Sequence, residues 1–202
     1  MKRDIVLAGV GGQGILTLAV LIVNAAMREG LNVRQAEVHG MSQRGGAVEA
    51  HVRLSDGPLF SNLVPKGRAD LILATEPLEA LRNIDYLSPG GLIVTNSAAV
   101  ENIPNYPPRE ELTKLLNDCG RKVYLIDAGA VAKEAGTPRA QNVVLIGAAS
   151  AFVGLKPESL QAAVSEMFAK RKKDMVDMNL RALQLGALRI QQMAPRAVSG
   201  AV

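Results

Sequence analysis

The residues best suited to chemistry begin with a glycine-rich turn near the N-terminus. Gly9-Val10-Gly11-Gly12-Gln13-Gly14 contains the spacing G-x-G-x-x-G. An apolar run at 5–8 predicts a strand before it, and an apolar-rich stretch at 15–29 predicts a helix after it. Backbone N–H groups of such a turn, together with the N-terminus of the helix, favour a phosphate or another anion. The candidate ligand-binding residues of this turn are Gly9, Gly11, Gly12, Gln13 and Gly14.

The same spacing is compatible with two other interpretations. The glycines can serve only to bring a strand and a helix close together. Alternatively, the turn could bind the pyrophosphate of NAD or FAD. Glu37 lies near the end of the second predicted strand, about 20 residues beyond the glycines, where dinucleotide-binding folds place a ribose-binding carboxylate. A Rossmann-type NAD- or FAD-binding protein is therefore an open alternative.

A second polar, glycine-flanked loop follows that strand and reads His39-Gly40-Met41-Ser42-Gln43-Arg44-Gly45-Gly46. It lies just beyond the carboxyl end of the strand, where open α/β sheets place their ligands. Its arginine offers a planar fork of donors for a carboxylate or phosphate, its serine and glutamine offer neutral hydrogen bonds, and its glycines permit close approach. No catalytic acid, base or nucleophile is predicted here. The candidate binding residues of the loop are Ser42, Gln43, Arg44 and Gly45.

Catalytic and metal-binding interpretations have weaker support. Ser42, a histidine and Asp127 could form a hydrolase triad, but no strained G-x-S-x-G turn surrounds the serine. His39 and His51 each follow a glutamate by two residues, which alternation along a strand accounts for better than a metal site does. Cys119 is the only cysteine, so this chain cannot by itself ligate an iron–sulfur cluster. We predict that it holds no metal and no cofactor alone.

The elements that must position these motifs are short apolar strands alternating with helices. This pattern predicts an α/β fold with a single open, mostly parallel sheet, helices on both faces and additional C-terminal helices, in a Rossmann-like arrangement. The predicted domain covers residues 1–193, and residues 194–202 are predicted to be a disordered tail. Strands are expected at 5–8, 33–38, 47–54, 71–74, 92–95 and 123–126, and helices at 15–29, 78–83, 127–136, 139–153, 160–168 and 176–190.

Local signals set several of these boundaries. Thr75-Glu76-Pro77 is typical of a cap with proline in the first helical turn, Thr137-Pro138 of a cap followed by proline at the first helical position, and Asp127 is a further candidate cap. Pro89-Gly90-Gly91 predicts a turn, and the proline-containing segment 97–109 predicts a surface excursion. In the 47–54 strand, apolar residues alternate with Glu49, His51 and Arg53. This alternation predicts that one face of the strand meets solvent or a partner.

Composition narrows the classes of function. A chain of 202 residues that is 48% hydrophobic can bury a single core. The net charge is +4 and only 3% of residues are aromatic, which disfavours nucleic-acid binding. No signal-peptide pattern follows Met1, so we expect a cytoplasmic protein. The longest apolar-rich stretch, 15–27, contains Thr17 and Asn24 and is too short for a bilayer span, so no membrane role is expected.

The two glycine-containing motifs together resemble the gamma-type domain of 2-oxoacid:acceptor oxidoreductases. The second motif is the more specific, and its Met-Ser-Gln-Arg-Gly-Gly run most resembles the indolepyruvate type, in which a small beta subunit pairs with a larger alpha subunit. Branched-chain and pyruvate types stay open. The resemblance covers roughly residues 3 to 190. Its matching segments, in chain order, are 9–14, 37–46, Glu76-Pro77-Leu78-Glu79-Ala80, Pro89-Gly90-Gly91 and the segment from Asn142 to Gly147.

The resemblance implies a small subunit of an enzyme whose chemistry is centred on its partner. In that family the holoenzyme decarboxylates a 2-oxoacid on thiamine diphosphate, passes electrons through iron–sulfur clusters to ferredoxin, and releases an acyl-CoA. In the indolepyruvate type the thiamine diphosphate, Mg²⁺ and clusters belong to the larger alpha subunit. The implied partners of this chain are therefore that alpha subunit and ferredoxin.

Coenzyme A is the preferred ligand of this chain. It carries a diphosphate and a 3′-phosphate, which a helix N-terminus and Arg44 could each receive. Asn142 is included as a candidate ligand-binding residue because it opens the matching late helix. A structural subunit whose glycine turn binds nothing, and which only buries an apolar face against a partner, is a further alternative.

Overall fold

A computed structural model describes residues 1–39 and 45–193 and contains one six-stranded sheet in the order β2-β3-β1-β4-β5-β6. The strands are β1 (Lys2–Val10), β2 (Asn32–His39), β3 (Ala47–Ser55), β4 (Ala69–Ala74), β5 (Leu87–Asn96) and β6 (Lys122–Ile126). The α-helices are α1 (Ile15–Arg28), α2 (Pro77–Arg82), α3 (Arg109–Asp118), α4 (Ala128–Glu134), α5 (Gln141–Val153), α6 (Pro157–Phe168) and α7 (Lys173–Gln192). Short 3₁₀ turns occupy Ile84–Tyr86 and Pro138–Ala140. The predicted tail, 194–202, lies outside the described residues.

The sheet is mostly parallel, as predicted. β1, β4, β5 and β6 pair side by side in parallel. β3 runs antiparallel to both β1 and β2 and separates them, so that β2 points the same way as β1 but forms the edge of the sheet. The direction of β3 could not be deduced from its residue pattern, because alternation specifies a face and not a neighbour.

Helices cover both faces, which accounts for the continuous apolar runs of the central strands. On one face, Ile5 and Leu7 of β1 pack in a core with α1, α4 and α5, with α6 and α7 further out. On the other face, Val6 and Ala8 pack in a second core with α2 and α3. All four side chains are fully buried. The predicted α/β architecture with helices on both faces and C-terminal helices is therefore confirmed.

The polar face of β3, predicted to meet solvent or a partner, is instead covered by this chain itself. Arg53 is only 7% exposed, because the chain that follows β3 folds back over this face. Its guanidinium donates to both carboxylate oxygens of Asp4, with Nε to Oδ1 at 2.7 Å, and also donates to the carbonyls of Ser61 and Leu63. The buried charge is thus paired, and all three of its nitrogens donate hydrogen bonds, as burial of a charge requires.

His51 lies on the same buried face, 1% exposed. Its Nδ1 accepts from the backbone N–H of Val64 at 3.1 Å, and its Nε2 lies 3.0 Å from a carboxylate oxygen of Glu49. The ring also makes an edge contact with Tyr86. Both ring nitrogens are therefore used within the fold. Among the described residues, no group of three or more His, Cys, Asp or Glu side chains is placed to hold a metal ion.

At three places the observed elements differ from those predicted from local residue patterns. Pro89-Gly90-Gly91 is not a turn but lies within β5, where the pairing with β4 shifts register between Ala69 and Leu71. Thr137 makes no side-chain cap, and a 3₁₀ turn precedes α5, which begins at Gln141 rather than at residue 139. Helix α3 was not predicted. Its first turn is rich in charge and its apolar face is narrow, with Leu112 and Leu116 buried.

Two cap predictions are confirmed. The side chain of Glu76 accepts from the backbone N–H of Glu79 at the start of α2, and Asp127 accepts from that of Ala130 at the start of α4. The segment between Ser97 and α3 has no regular element, as predicted for a surface excursion. No helix in the described part of the chain is both long enough and apolar enough to cross a bilayer.

The buried ion pair under β3 predicts a large stability effect. Replacing Arg53 with Met leaves the Asp4 carboxylate, 2% exposed, without its main partner, and we expect a loss of about 3–5 kcal/mol. The matched control is Arg189→Met, since the Arg189–Glu134 pair is nearly half exposed on both sides and should contribute less than about 1 kcal/mol. Urea unfolding of both variants measures the difference. Equal losses would contradict the assignment.

Candidate functional site

The candidate site lies where the carboxyl ends of β1 and β4 meet. The strands are adjacent and parallel, and the N–H of Thr75, just after β4, donates to the carbonyl of Ala8 at 2.9 Å. From this point α1 follows β1 onto one face of the sheet, whereas α2 follows β4 onto the other. The diverging connections open a crevice beyond the carboxyl ends of these two strands, the usual ligand position in open α/β folds.

Two glycines of the turn are required by geometry. A Cβ on Gly9 would lie 2.1 Å from Thr75 Oγ1 and 2.5 Å from Ile15 Cδ1, so no side chain fits there. Gly14 precedes α1 with a φ of 75°, a left-handed conformation that favours glycine. Because Gly14 has no side chain, the first-turn N–H groups of α1 lack the cap that a serine or aspartate would provide. These groups are suited to an anionic ligand.

Side chains hold the glycine turn in one shape. Gln13 Oε1 accepts from the N–H of Val10 and from the Thr75 hydroxyl, both at 2.8 Å. On the outer side, Asn142 Nδ2 donates to the carbonyls of Gln13 at 2.9 Å and Gly14 at 3.2 Å. Gln13 therefore links the turn to β4, and Asn142 links it to the first turn of α5. The turn is organised before any ligand binds.

These residues line a pocket of about 350 Å³. Its wall is mostly polar and combines the glycine turn, the ends of β4 and β5, and the start of α5. Arg139 is exposed at the pocket and forms no ion pair with the described residues. The lining residues are Gln13, Thr75, Asn96, Pro138, Arg139, Gln141, Asn142 and Leu145.

Sequence reasoning found Gln13 and Asn142 but missed Thr75, Asn96 and Arg139. A usable signal existed for two of them. Thr75 directly follows the apolar strand β4, and Asn96 ends β5, and polar residues at the carboxyl ends of adjacent parallel strands converge at one sheet edge. Asn96 also accepts from the N–H of Ala128 at 3.2 Å, which fixes its orientation. Nothing local distinguishes Arg139 from any other surface arginine.

The end of the second predicted loop lies beside the glycine turn. The N–H of Gly11 donates to the carbonyl of Gly46 at 2.8 Å, and the N–H of Gly45 donates to that of Gly11 at 3.3 Å. From the excursion after β5, Asn102 Nδ2 donates to the carbonyl of Gly45 at 2.7 Å. The structure thus brings the two predicted motifs together at this end. Ser42, Gln43 and Arg44 lie outside the described residues.

Glu37 is not placed for a ribose. It lies opposite Ala50 on β3, and Ala50 in turn lies opposite Leu7 on β1. Two strand spacings, about 9–10 Å, therefore separate it from β1, whereas a dinucleotide-binding fold places the two strands side by side. Its side chain is exposed. The carboxylate that favoured the NAD or FAD interpretation is thus displaced by the insertion of β3.

Two buried carboxylates lie at the start of α2. Glu76 and Glu79 are each 1% exposed, and Tyr106 of the excursion donates its hydroxyl hydrogen bond to Glu76. Burial, and then this bond, raise the pKa of the Tyr106 phenol. Burial also raises the pKa of Glu79. The nearby Arg82 guanidinium acts to lower this pKa, whereas the neighbouring Glu76 carboxylate acts to raise it further. Tyr106 therefore stays protonated and ties the excursion to the start of α2.

The chain is similar to known proteins along nearly its whole length. Residues 4–188 match the family described as pyruvate ferredoxin/flavodoxin oxidoreductase. The chain is 42% identical over 201 residues to the indolepyruvate oxidoreductase subunit IorB of Thermococcus kodakarensis, covering 95% of this chain and 98% of that one. It is 37% identical to the IorB subunit of Archaeoglobus fulgidus, covering 98% of this chain and 100% of that one.

A solved structure extends the likeness. It is 2-oxoglutarate:ferredoxin oxidoreductase from Magnetococcus marinus with 2-oxoglutarate, coenzyme A and succinyl-CoA bound, and it superposes with a TM-score of 0.76 at 25% identity. The match covers 96% of this chain but 32% of that one. The same domain therefore occurs both as a subunit of this length and as about one third of a longer polypeptide.

The hydrogen bonds of Asn142 predict a local effect of its removal. In Asn142→Ala the Gln13 carbonyl loses its side-chain donor, while the Gly14 carbonyl keeps the N–H of Thr17. We expect a loss of about 1–2 kcal/mol and faster amide hydrogen exchange over residues 11–17, measured by mass spectrometry. Gln141→Ala is the control, because among the described residues the Gln141 side chain donates to the nearby Pro138 carbonyl and not to the glycine turn. Exchange equal to the control would show that Asn142 does not hold the turn.

Proposed function

The chain belongs to the pyruvate ferredoxin/flavodoxin oxidoreductase family, and we propose that it is the small subunit of an indolepyruvate oxidoreductase. Its place as a subunit of a 2-oxoacid oxidoreductase follows from the relatives that match along almost their whole length. The indolepyruvate assignment is supported by four such relatives, each named for that substrate and 36–42% identical to this chain. It is further supported by the sequence of the 39–46 loop.

The proposed reaction joins an arylpyruvate and coenzyme A. The bond between the keto carbon and the carboxylate breaks, and CO₂ leaves. The thiol sulfur then bonds to the former keto carbon, the thiol proton is released, and an electron pair passes to two oxidised ferredoxins. The product is an arylacetyl-CoA. In this scheme the larger subunit carries the reaction centre, and this chain binds and positions the thiol substrate.

The cofactors of the reaction are assigned to the larger alpha subunit. The residues of this chain do not fit an iron–sulfur cluster, since the one cysteine, Cys119, directs its Sγ to the carbonyl of Leu116. Thiamine diphosphate, when bound with Mg²⁺ on the partner, would supply the carbanion chemistry of decarboxylation. We accordingly propose a cytoplasmic heteromer in which residues 1–193 form one domain and ferredoxin docks as the electron acceptor.

Coenzyme A is the ligand that best suits the pocket at the β1–β4 crevice, and this pocket is the observation that carries the proposal. The start of α1, which has no side-chain cap, suits its diphosphate, and Arg139 suits its 3′-phosphate. Arg44, predicted for the same role, lies outside the described residues. A volume of about 350 Å³ is at the low end for ligand sites, so it accommodates one part of coenzyme A. The ligands of the Magnetococcus marinus enzyme support this choice.

Reconstitution tests the proposed function directly. This chain is co-expressed with a large subunit of the indolepyruvate type from the same organism, and viologen reduction is measured with indolepyruvate, phenylpyruvate and pyruvate. We expect coenzyme A-dependent reduction only when both chains are present, fastest with indolepyruvate, because the centre lies on the partner and the thiol site on this chain. Full activity of the large subunit alone would refute the proposal. A preference for pyruvate would reassign the substrate.

The role of Arg139 predicts a selective defect. In the reconstituted enzyme, Arg139→Gln should raise KM for coenzyme A about tenfold with little change for dephospho-CoA, because one charge-assisted bond to the 3′-phosphate is lost. Arg68→Gln is the matched control. Arg68 is also exposed, but it lies just before β4, at the amino end of that strand and therefore away from the pocket. If both variants, or neither, change the ratio of the two KM values, Arg139 does not bind that phosphate.

A further inference from the structure

The outer face of α1 is apolar along its whole length. Leu16, Val20 and Met27 are 49%, 41% and 63% exposed, and Val23 between them is partly exposed. Their spacing of four, three and four residues aligns them on one side of the helix. The stripe from Leu16 to Met27 is about 17 Å long, at 1.5 Å per residue. We call these four residues the α1 stripe.

A surface helix of a globular protein normally turns polar residues to water. Helix α1 has only three polar or charged residues, Thr17, Asn24 and Arg28, and none belongs to the α1 stripe. Its inner residues are buried against the sheet and against α5 and α6. The one charge, Arg28, lies at the end of the helix and is held by Glu166 at 2.5 Å. A helix apolar on every side is typical of a buried element.

The other exposed large apolar residues on described helices do not form such a line. Leu115 lies on the charged helix α3, and Leu188 lies on α7 among polar neighbours. Single exposed apolar side chains of this kind are normal on a protein surface. The α1 stripe differs because it is continuous and uncharged, the composition found at the centre of protein–protein interfaces.

The position of the α1 stripe indicates which partner covers it. Leu16 lies three residues after Gln13, a lining residue of the pocket, so the stripe begins beside the glycine turn. We propose that the α1 stripe is the docking surface for the large, thiamine-binding subunit. This inference rests on the proposed function, in which the thiol held in the pocket must reach the partner's reaction centre. A second copy of this chain would bring only another glycine turn to the pocket.

The test uses exposed residues away from the pocket. The double variant Val20→Glu/Met27→Glu places two charges in the α1 stripe, and Leu115→Glu/Leu188→Glu is the matched control with similar exposure on other helices. Binding to the co-expressed large subunit is measured by native mass spectrometry and by titration, and folding by circular dichroism and thermal unfolding. We expect at least tenfold weaker binding for the α1 variant and less than a twofold change for the control. If the glutamates unfold the chain, Val20→Thr/Met27→Gln replaces them, with the same direction expected.

Hydroxyl-radical labelling gives a second readout that needs no substitution. Met27 should be oxidised readily in the isolated wild-type chain and protected in the complex. Protection already present in the isolated chain, through a second copy or through residues 194–202, would overturn the proposal. Unchanged binding by the α1 variant in an active complex would also overturn it, while leaving the proposed function intact. Failure of the wild-type chain to bind or activate any large subunit would instead refute the proposed function.

Discussion

The close approach of β1 and β4 at their carboxyl ends is the constraint on which the site depends. Gly9 has no room for a Cβ because Thr75 packs directly against it, and Thr75 in turn bonds Ala8 and Gln13. This contact fixes the path of the glycine turn and thereby the direction in which the start of α1 points. A side chain at Gly9 would separate the strands, and the crevice would lose its shape.

The antiparallel strand β3 determines what this crevice can bind. Its insertion between β1 and β2 moves Glu37 to the edge strand, so the glycine turn lacks the neighbouring ribose carboxylate of a dinucleotide site. It also requires a polar face to be buried, which the Arg53–Asp4 pair and the hydrogen bonds of His51 satisfy. Gly46, which immediately precedes β3, accepts a hydrogen bond from Gly11 of the glycine turn.

The excursion after β5 connects the separate parts of the site. Tyr106 bonds the buried Glu76 at the start of α2, and Asn102 bonds Gly45 beside the glycine turn. Together with the hydrogen bonds from Asn142 of α5 to the glycine turn, these contacts link five chain segments around one crevice. The pocket is therefore organised on the sheet side by these elements.

Local features of this protein can be predicted from its residues alone. The strand, glycine turn and helix, the caps at the starts of α2 and α4, and the apolar faces of the C-terminal helices follow from residue spacing over a few positions, because capping and periodicity are short-range effects. The family-specific loop is also recognisable as a linear motif. The position of β3 between β1 and β2, the burial of Arg53 and the presence of Arg139 at the pocket arise only in the folded chain. Each of these depends on contacts between residues far apart in the chain, and no local pattern specifies which distant segment will cover a given face.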